Sequence, residues 1–161
     1  MKQIILILTI LFLIIINTFG QNKSTTNKTS MTITVTKTVN IKASTDKVWG
    51  YINDLSKWAE WAIHNVKSVK KGEYGIWLME GPSGISKVKM HSDKTSGLLD
   101  HDFIDPSEGH WKVPCRVVAG SEGSHLMITF TKPKQMPDKA FEMGMKMLDE
   151  ELAKLKELME K

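Results

Sequence analysis

Asp100, His101 and Asp102 are three adjacent residues whose side chains could do acid–base chemistry. They fall in a run that predicts a β-strand, and successive side chains of a strand point to opposite faces. The two carboxylates therefore share one side and the imidazole lies on the other, so the three groups cannot form one triad or hold one metal ion. Leu99 and Phe103 flank His101 at a spacing of two, which predicts that the imidazole faces inward. There it could shuttle a proton, anchor a ligand, or serve as an interior polar group without a functional role.

Other familiar catalytic patterns are not matched by the sequence. The remaining histidines lack the spacing of a metal site, and a single cysteine cannot form a Cys pair. Residues 81–84, Gly-Pro-Ser-Gly, predict a turn and not the G-x-S-x-G elbow of an activated serine. No glycine pattern predicts a phosphate loop. We therefore expect no metal and no cofactor, and we expect Cys115, which alternates with Val113 and Val117, to be a small buried hydrophobe.

Methionine and aromatic side chains are frequent on the predicted inward faces. Methionine adapts its shape readily, and an indole N–H can give a ligand one fixed hydrogen bond. Such side chains could line a pocket or simply fill a core. The residues predicted to line a pocket are Trp61, Trp77, Met90, Leu99, His101, Phe103, Trp111, Cys115, Met143 and Met147.

The elements that position these residues begin with an alternating strand over residues 32–41. Its apolar positions recur at period two and are interrupted once, by Lys37. A helix follows, because Ser44 can accept a hydrogen bond from an unpaired amide of the first turn. Trp58 and Trp61 come directly after this helix.

Six further strands are predicted between the tryptophans and residue 131, separated by glycine- and proline-containing turns. They cover residues 65–69, 74–80, 86–92, 98–104, 111–119 and 126–131. Closely spaced strands of this kind pair as an antiparallel meander, and their alternation predicts one apolar and one wet face.

A long amphipathic helix is predicted to cover the apolar face. Its apolar positions recur at spacings of three and four, and they are Phe141, Met145, Leu148, Leu152, Leu155 and Met159. The other positions, including Asp149 and Glu150, predict a solvated outer face. Gly144 suggests either a bend or a close approach to the sheet. The predicted fold class is α+β.

The first twenty residues predict a secretory signal peptide, with a basic start, an apolar run and a small residue before Gln21. If the apolar segment, residues 4–19, were retained, it would be a single membrane anchor. Residues 21–30 are polar and predict a linker, and residues 31–161 suffice for one domain. We thus expect an exported protein, periplasmic or secreted, that does not contact the membrane after cleavage.

Charge and composition exclude a nucleic-acid-binding role. The chain of 161 residues has a formal net charge of +4, but its lysines are scattered among acids and Arg116 is the only arginine. Nucleic-acid-binding proteins cluster their basic residues in a patch or stripe. A single cysteine also rules out an intrachain disulfide, so stability must come from packing.

Two segments resemble the START-like, or SRPBCC, superfamily, and its polyketide cyclase/dehydrase-like branch in particular. They are residues 39–49, Val-Asn-Ile-Lys-Ala-Ser-Thr-Asp-Lys-Val-Trp, and residues 58–61, Trp-Ala-Glu-Trp. Residues 97–102 and 116–118 are similar to a stretch of small proteins in that branch. Ala59 and Glu60 replace the usual proline of the tryptophan motif. The resemblance implies a helix-grip fold, in which a curved antiparallel sheet of about seven strands surrounds a long C-terminal helix with an apolar cavity between them.

Three functions are compatible with this sequence. The leading hypothesis is an exported START-like domain that binds a small hydrophobic or amphipathic molecule, or a lipid, in the cavity. The first alternative is an enzyme of cyclase or dehydratase type that uses His101 as acid or base. The second alternative is a protein-interaction module with a filled core.

Overall fold

The first strand, β1 (Thr34–Ile41), alternates as its sequence predicts, with Val35 and Val39 half-buried and Ile41 buried. Lys37 lies on the same inward side, and its Nζ donates to the Asp149 carboxylate of the C-terminal helix at 2.8 Å. The lysine that interrupts the apolar pattern is therefore paired with an acid on the element that covers the sheet.

The computed structural model describes residues 32–105 and 109–161. The predicted signal peptide, residues 1–20, and the predicted linker, residues 21–30, lie outside the described residues. In the part of the chain that is described, no helix is both long enough and apolar enough to span a bilayer.

Three helices and a short 3₁₀ turn accompany the sheet. Helix α1 (Thr45–Asn53) begins where Ser44 Oγ accepts from the Lys47 amide at 3.2 Å, which is the predicted cap. A 3₁₀ turn (Leu55–Lys57) leads into the one-turn helix α2 (Trp58–Trp61). The long C-terminal helix, α3 (Asp138–Met159), follows the last strand.

The strands after β1 form one antiparallel sheet with it. They are β2 (Ser68–Lys71), β3 (Ile76–Gly81), β4 (Gly84–Asp93), β5 (Leu98–Asp105), β6 (Gly109–Val113), β7 (Cys115–Gly120) and β8 (Gly123–Thr131). The strand order is β1-β8-β7-β5-β4-β3-β2, and β6 pairs with β5. The α+β prediction and the helix-grip arrangement are confirmed.

The described sheet has eight strands where about seven were predicted. The difference arises at Pro114, which divides the predicted strand over residues 111–119 into β6 and β7. Proline has no N–H and therefore cannot donate to a strand ladder. Both halves keep the same register against β5, since His101 pairs with Val113 and Leu98 pairs with Arg116.

Helix α3 packs on β1 and on α2. The predicted stripe is buried at Phe141, Leu148, Leu152, Leu155 and Met159 and half-buried at Met145. Gly144 does not approach the sheet, because a Cβ built there meets nothing within 4 Å. Of the two explanations that the sequence suggested for this glycine, close approach is therefore wrong.

Glu151 is the exception to the predicted solvated face of α3, since it is only 2% exposed. Its Oε1 accepts from the amides of His64 and Asn65, at 2.8 and 3.0 Å, and from Asn65 Nδ2 at 3.0 Å. Its Oε2 accepts from the same Nδ2 at 3.1 Å. The carboxylate therefore joins α3 to the turn after α2.

We expect Glu151→Ala to lower the free energy of unfolding by about 3 kcal/mol, because it leaves two backbone amides without their acceptor. Glu151→Gln keeps one acceptor oxygen and should lose less. Glu150→Ala is the matched control: Glu150 is exposed and pairs only with the His64 ring, so its loss should change stability by less than about 1 kcal/mol. Urea unfolding of the three variants measures these differences, and equal losses at positions 150 and 151 would contradict the role given to Glu151.

Candidate functional site

Five aromatic rings form a continuous row from the interior to the half-buried margin of the fold. Trp58 of α2 meets His101 of β5 edge to face, with ring centroids 5.0 Å apart. His101 meets Phe103 in the same way at 5.5 Å, and Phe103 meets Trp111 of β6 at 4.9 Å. Trp61 packs against Trp58 at 5.5 Å, on the same helical turn. We call these five residues the aromatic row.

His101 is the most buried polar residue of the row, at 3% exposed. Its Nδ1 lies 3.2 Å from the Leu99 carbonyl oxygen. Because a carbonyl oxygen only accepts hydrogen bonds, Nδ1 carries the proton in the neutral ring and Nε2 is the acceptor. Burial lowers the pKa of His101 to about 4, against smaller opposing effects of the Leu99 carbonyl and of the neighbouring Asp100 and Asp102 carboxylates. The imidazole is therefore uncharged at neutral pH.

The two tryptophans of α2 differ in how their indole N–H groups are used. Trp58 Nε1 donates to the Ile52 carbonyl at 2.8 Å. Trp61 Nε1 is buried and has no hydrogen-bond partner among the described residues. Buried donors are nearly always paired, so this indole N–H is an unusual feature of the described interior.

Asp100 and Asp102 lie on the opposite face of β5 from His101, as the alternation predicts. Asp100 Oδ1 accepts from the Cys115 amide at 2.9 Å and pairs with the Arg116 guanidinium. Asp102 Oδ2 lies 2.8 Å from His91 Nε2. The structure thus separates the three adjacent residues, and both carboxylates bind groups on neighbouring strands.

The other predicted pocket residues divide into three groups. Leu99 and Cys115 are fully buried in the core, and burial raises the pKa of the Cys115 thiol to about 12. Trp77 and Met90 are half-buried and pack against that core. On α3, Met147 is half-buried, whereas Met143 is 53% exposed and does not join the interior group.

Trp58 was absent from the predicted set, although it joins Trp61 to His101 in the aromatic row. The signal was present in the sequence: Trp58 and Trp61 are three residues apart, and residues at that spacing share one face of a helix. The sequence could not indicate that this face meets His101, because His101 lies forty-three positions further along the chain.

Two surface clefts lie elsewhere in the described structure. The first, of about 320 Å³, is bordered by the start of α1, the β4–β5 turn and β7. The second, of about 280 Å³, is bordered by the end of β1, the β7–β8 turn and Lys156 of α3. None of the residues predicted to line a pocket borders either cleft. The described residues also contain no group of three or more His, Cys, Asp or Glu side chains arranged to hold a metal ion.

Comparison with known proteins identifies the family. The model of the family "Polyketide cyclase / dehydrase and lipid transport" matches residues 32–160. The chain belongs to this family. Its START-like relationship, which the sequence resemblance suggested, is confirmed. No match was found among curated protein sequences.

Solved structures share the fold of this family member at low sequence identity. An uncharacterised protein of Bacillus thuringiensis has a TM-score of 0.64 at 16% identity, covering 79% of this chain and 98% of its own. The protein XoxI of Bacillus cereus has a TM-score of 0.63 at 14% identity, covering 78% and 94%. The protein Ara h 8.0201 has a TM-score of 0.61 at 11% identity, covering 80% and 98%. These similarities establish the fold alone.

The burial of His101 predicts a specific pH dependence of stability. Its pKa falls from 6.5 in the unfolded chain to about 4 in the folded protein, so between these values the unfolded state binds more protons. Stability contributed by the neutral ring is complete above pH 6.5 and is lost as the pH falls towards 4, by about 3 kcal/mol in total.

Urea unfolding at pH 7.5 and pH 4.5 should show this loss in the wild type and a smaller loss in His101→Leu. Carboxylate titration is common to both proteins and cancels in the comparison. An identical pH dependence of the two proteins would contradict the assignment to His101.

Proposed function

We propose that this protein is an exported START-like domain that binds a small hydrophobic or amphipathic molecule between its sheet and α3. The observation that carries the proposal is the aromatic row. It begins at a buried indole N–H that has no partner among the described residues, and it ends at half-buried Trp111. The family description, which includes lipid transport, supports the same class of ligand.

The apolar part of such a ligand would contact the half-buried side chains around the row. They are Trp77, Met90, Phe103, Trp111 and Met145, on β3 to β6 and on the first half of α3. Each still exposes apolar surface to water in the ligand-free protein. Covering that surface is favourable by about 25 cal/mol per Å², which is the main driving force for binding an apolar molecule.

The polar part would be fixed at the inner end of the row. Trp61 Nε1–H is a donor and His101 Nε2 is an acceptor, and both rings pack against Trp58. A hydroxyl group both accepts and donates a hydrogen bond, so it matches this pair of protein groups. We therefore favour an apolar molecule with one hydroxyl group over a wholly apolar one.

His101 acts as a ligand anchor in this proposal. With a pKa of about 4 the ring has no second proton to donate at neutral pH, which removes the general-acid role. No contact in the described structure specifically favours the cyclase or dehydratase alternative.

The proposed anchor is tested by two tryptophan variants with a matched pair of ligands, decanol and decane. Trp61→Phe replaces the indole with a smaller ring and removes its N–H, so it should weaken decanol binding about tenfold more than decane binding. Trp58→Phe loses the same volume together with an N–H that is bonded to Ile52, so it should destabilise the free protein by about 1 kcal/mol more than Trp61→Phe does.

Affinities come from titration calorimetry on the delipidated domain, residues 31–161, with the melting temperature as a second readout. If wild type and Trp61→Phe preferred decanol over decane by the same factor, Trp61 would not be an anchor for the hydroxyl group. Failure of both ligands to raise the melting temperature would count against ligand binding itself.

The proposed export of the protein can be tested separately. If residues 1–20 are a cleaved signal peptide, the intact mass of protein recovered from outside the cytoplasm should correspond to a chain that begins at Gln21. A full-length mass in the membrane fraction would instead indicate that residues 4–19 are retained as an anchor.

A further inference from the structure

The sheet is split between β6 and β8. Strand β7 pairs with β8 from Cys115 opposite Ile128 to Gly120 opposite Gly123. Beyond this point β6 pairs only with β5, and the last residues of β8, from Thr129 to Thr131, pair only with β1. The two strands remain neighbours without a ladder between them.

Pro114 explains why the ladder stops there. The Thr129 amide donates to the Pro114 carbonyl at 2.9 Å, and beyond this bond no ladder joins β6 to β8 in the described residues. In an antiparallel pair the opposite residue returns a bond from its own N–H, and proline has none. On the β5 side, the amide of the next residue, Cys115, donates a hydrogen bond to the Asp100 side chain.

The aromatic row ends at this split. Trp111 lies on the inward face of β6, and Phe130 lies on the inward face of β8 at the position that would oppose Val113 if the ladder continued. Both rings are half-buried, whereas Val113 is fully buried. Behind them Phe103 leads to His101 at the inner end of the row.

We infer that ligands pass into and out of the interior through the split between β6 and β8, and that Pro114 keeps this passage free of ladder hydrogen bonds. The inference rests on the proposed function, because it locates the opening of the same binding region. Parting β7 from β8 would break the backbone hydrogen bonds of their ladder, whereas no ladder joins β6 to β8 in the described residues. Local opening is easiest where the fewest hydrogen bonds must break.

The two surface clefts do not offer an equivalent route. The first is bordered by Trp49, whose Nε1 donates to the Leu98 carbonyl at 3.1 Å, and by Val117 of the paired part of β7. The second is bordered by the β7–β8 turn, where Gly120 pairs with Gly123. Both clefts therefore lie against segments that hydrogen bonds hold together, and Trp111 borders neither of them.

The inference is tested by restoring the missing N–H. Pro114 is exposed, so Pro114→Val or Pro114→Ala adds a donor without removing core packing. The probe is 1-anilinonaphthalene-8-sulfonate, a fluorescent apolar anion, and stopped-flow fluorescence gives its association and dissociation rates. Pro82→Val, in the β3–β4 turn, is the matched control for replacing a proline.

We expect both exchange rates to fall about tenfold in the Pro114 variants, the factor that corresponds to one or two net backbone hydrogen bonds, with an unchanged dissociation constant. The Pro82 variant should exchange as the wild type does. Hydrogen exchange should also show a protected amide at residue 114 in the two variants.

Three results would overturn the inference. Binding of the probe with wild-type rates in both Pro114 variants would place the passage elsewhere while leaving the proposed function intact. An unprotected amide at residue 114 would show that the proline is not what holds the strands unpaired. Absence of any binding to the wild type would remove the proposed function and, with it, the passage.

Discussion

The carboxylate of Glu151 fixes how the long helix lies on the rest of the fold. A buried charge is tolerated only where hydrogen bonds replace its hydration, and here the replacing donors all belong to His64 and Asn65. The helix can satisfy this requirement at only one axial position and one rotation. In that setting Leu148, Leu152 and Leu155 are buried, and the turn after α2 is held beside α3.

The neighbours of Glu151 add further contacts. Asp149 pairs with Lys37 of β1, and Glu150 pairs with the ring of His64, whose amide donates to Glu151. Consecutive residues of a helix point in directions about 100° apart, so three adjacent acids reach three different groups on β1 and on the turn after α2. Because α2 is held by this contact, Trp58 is kept where it meets His101 of β5. The geometry of the proposed binding region thus depends on a contact outside it.

Pro114 acts in the opposite way to Glu151, because it removes a backbone hydrogen bond where Glu151 accepts several. The strand that contains it continues in register on the β5 side, with Asp100 accepting from the Cys115 amide, but loses its ladder on the β8 side. In the described residues no ladder joins β6 to β8, so the sheet has one line without paired strands.

Local rules determined much of this fold from the sequence. The alternation of β1, the Ser44 cap and the apolar stripe of α3 each depend on residues within a few positions of one another, and each is found in the structure. The inward position of His101 followed from the same alternation. Only the tertiary structure decided that Glu151 is buried, that Trp61 Nε1 has no hydrogen-bond partner among the described residues and that β6 forms no ladder with β8 there. These features depend on which distant segments are brought together, and neither periodicity nor propensity carries that information.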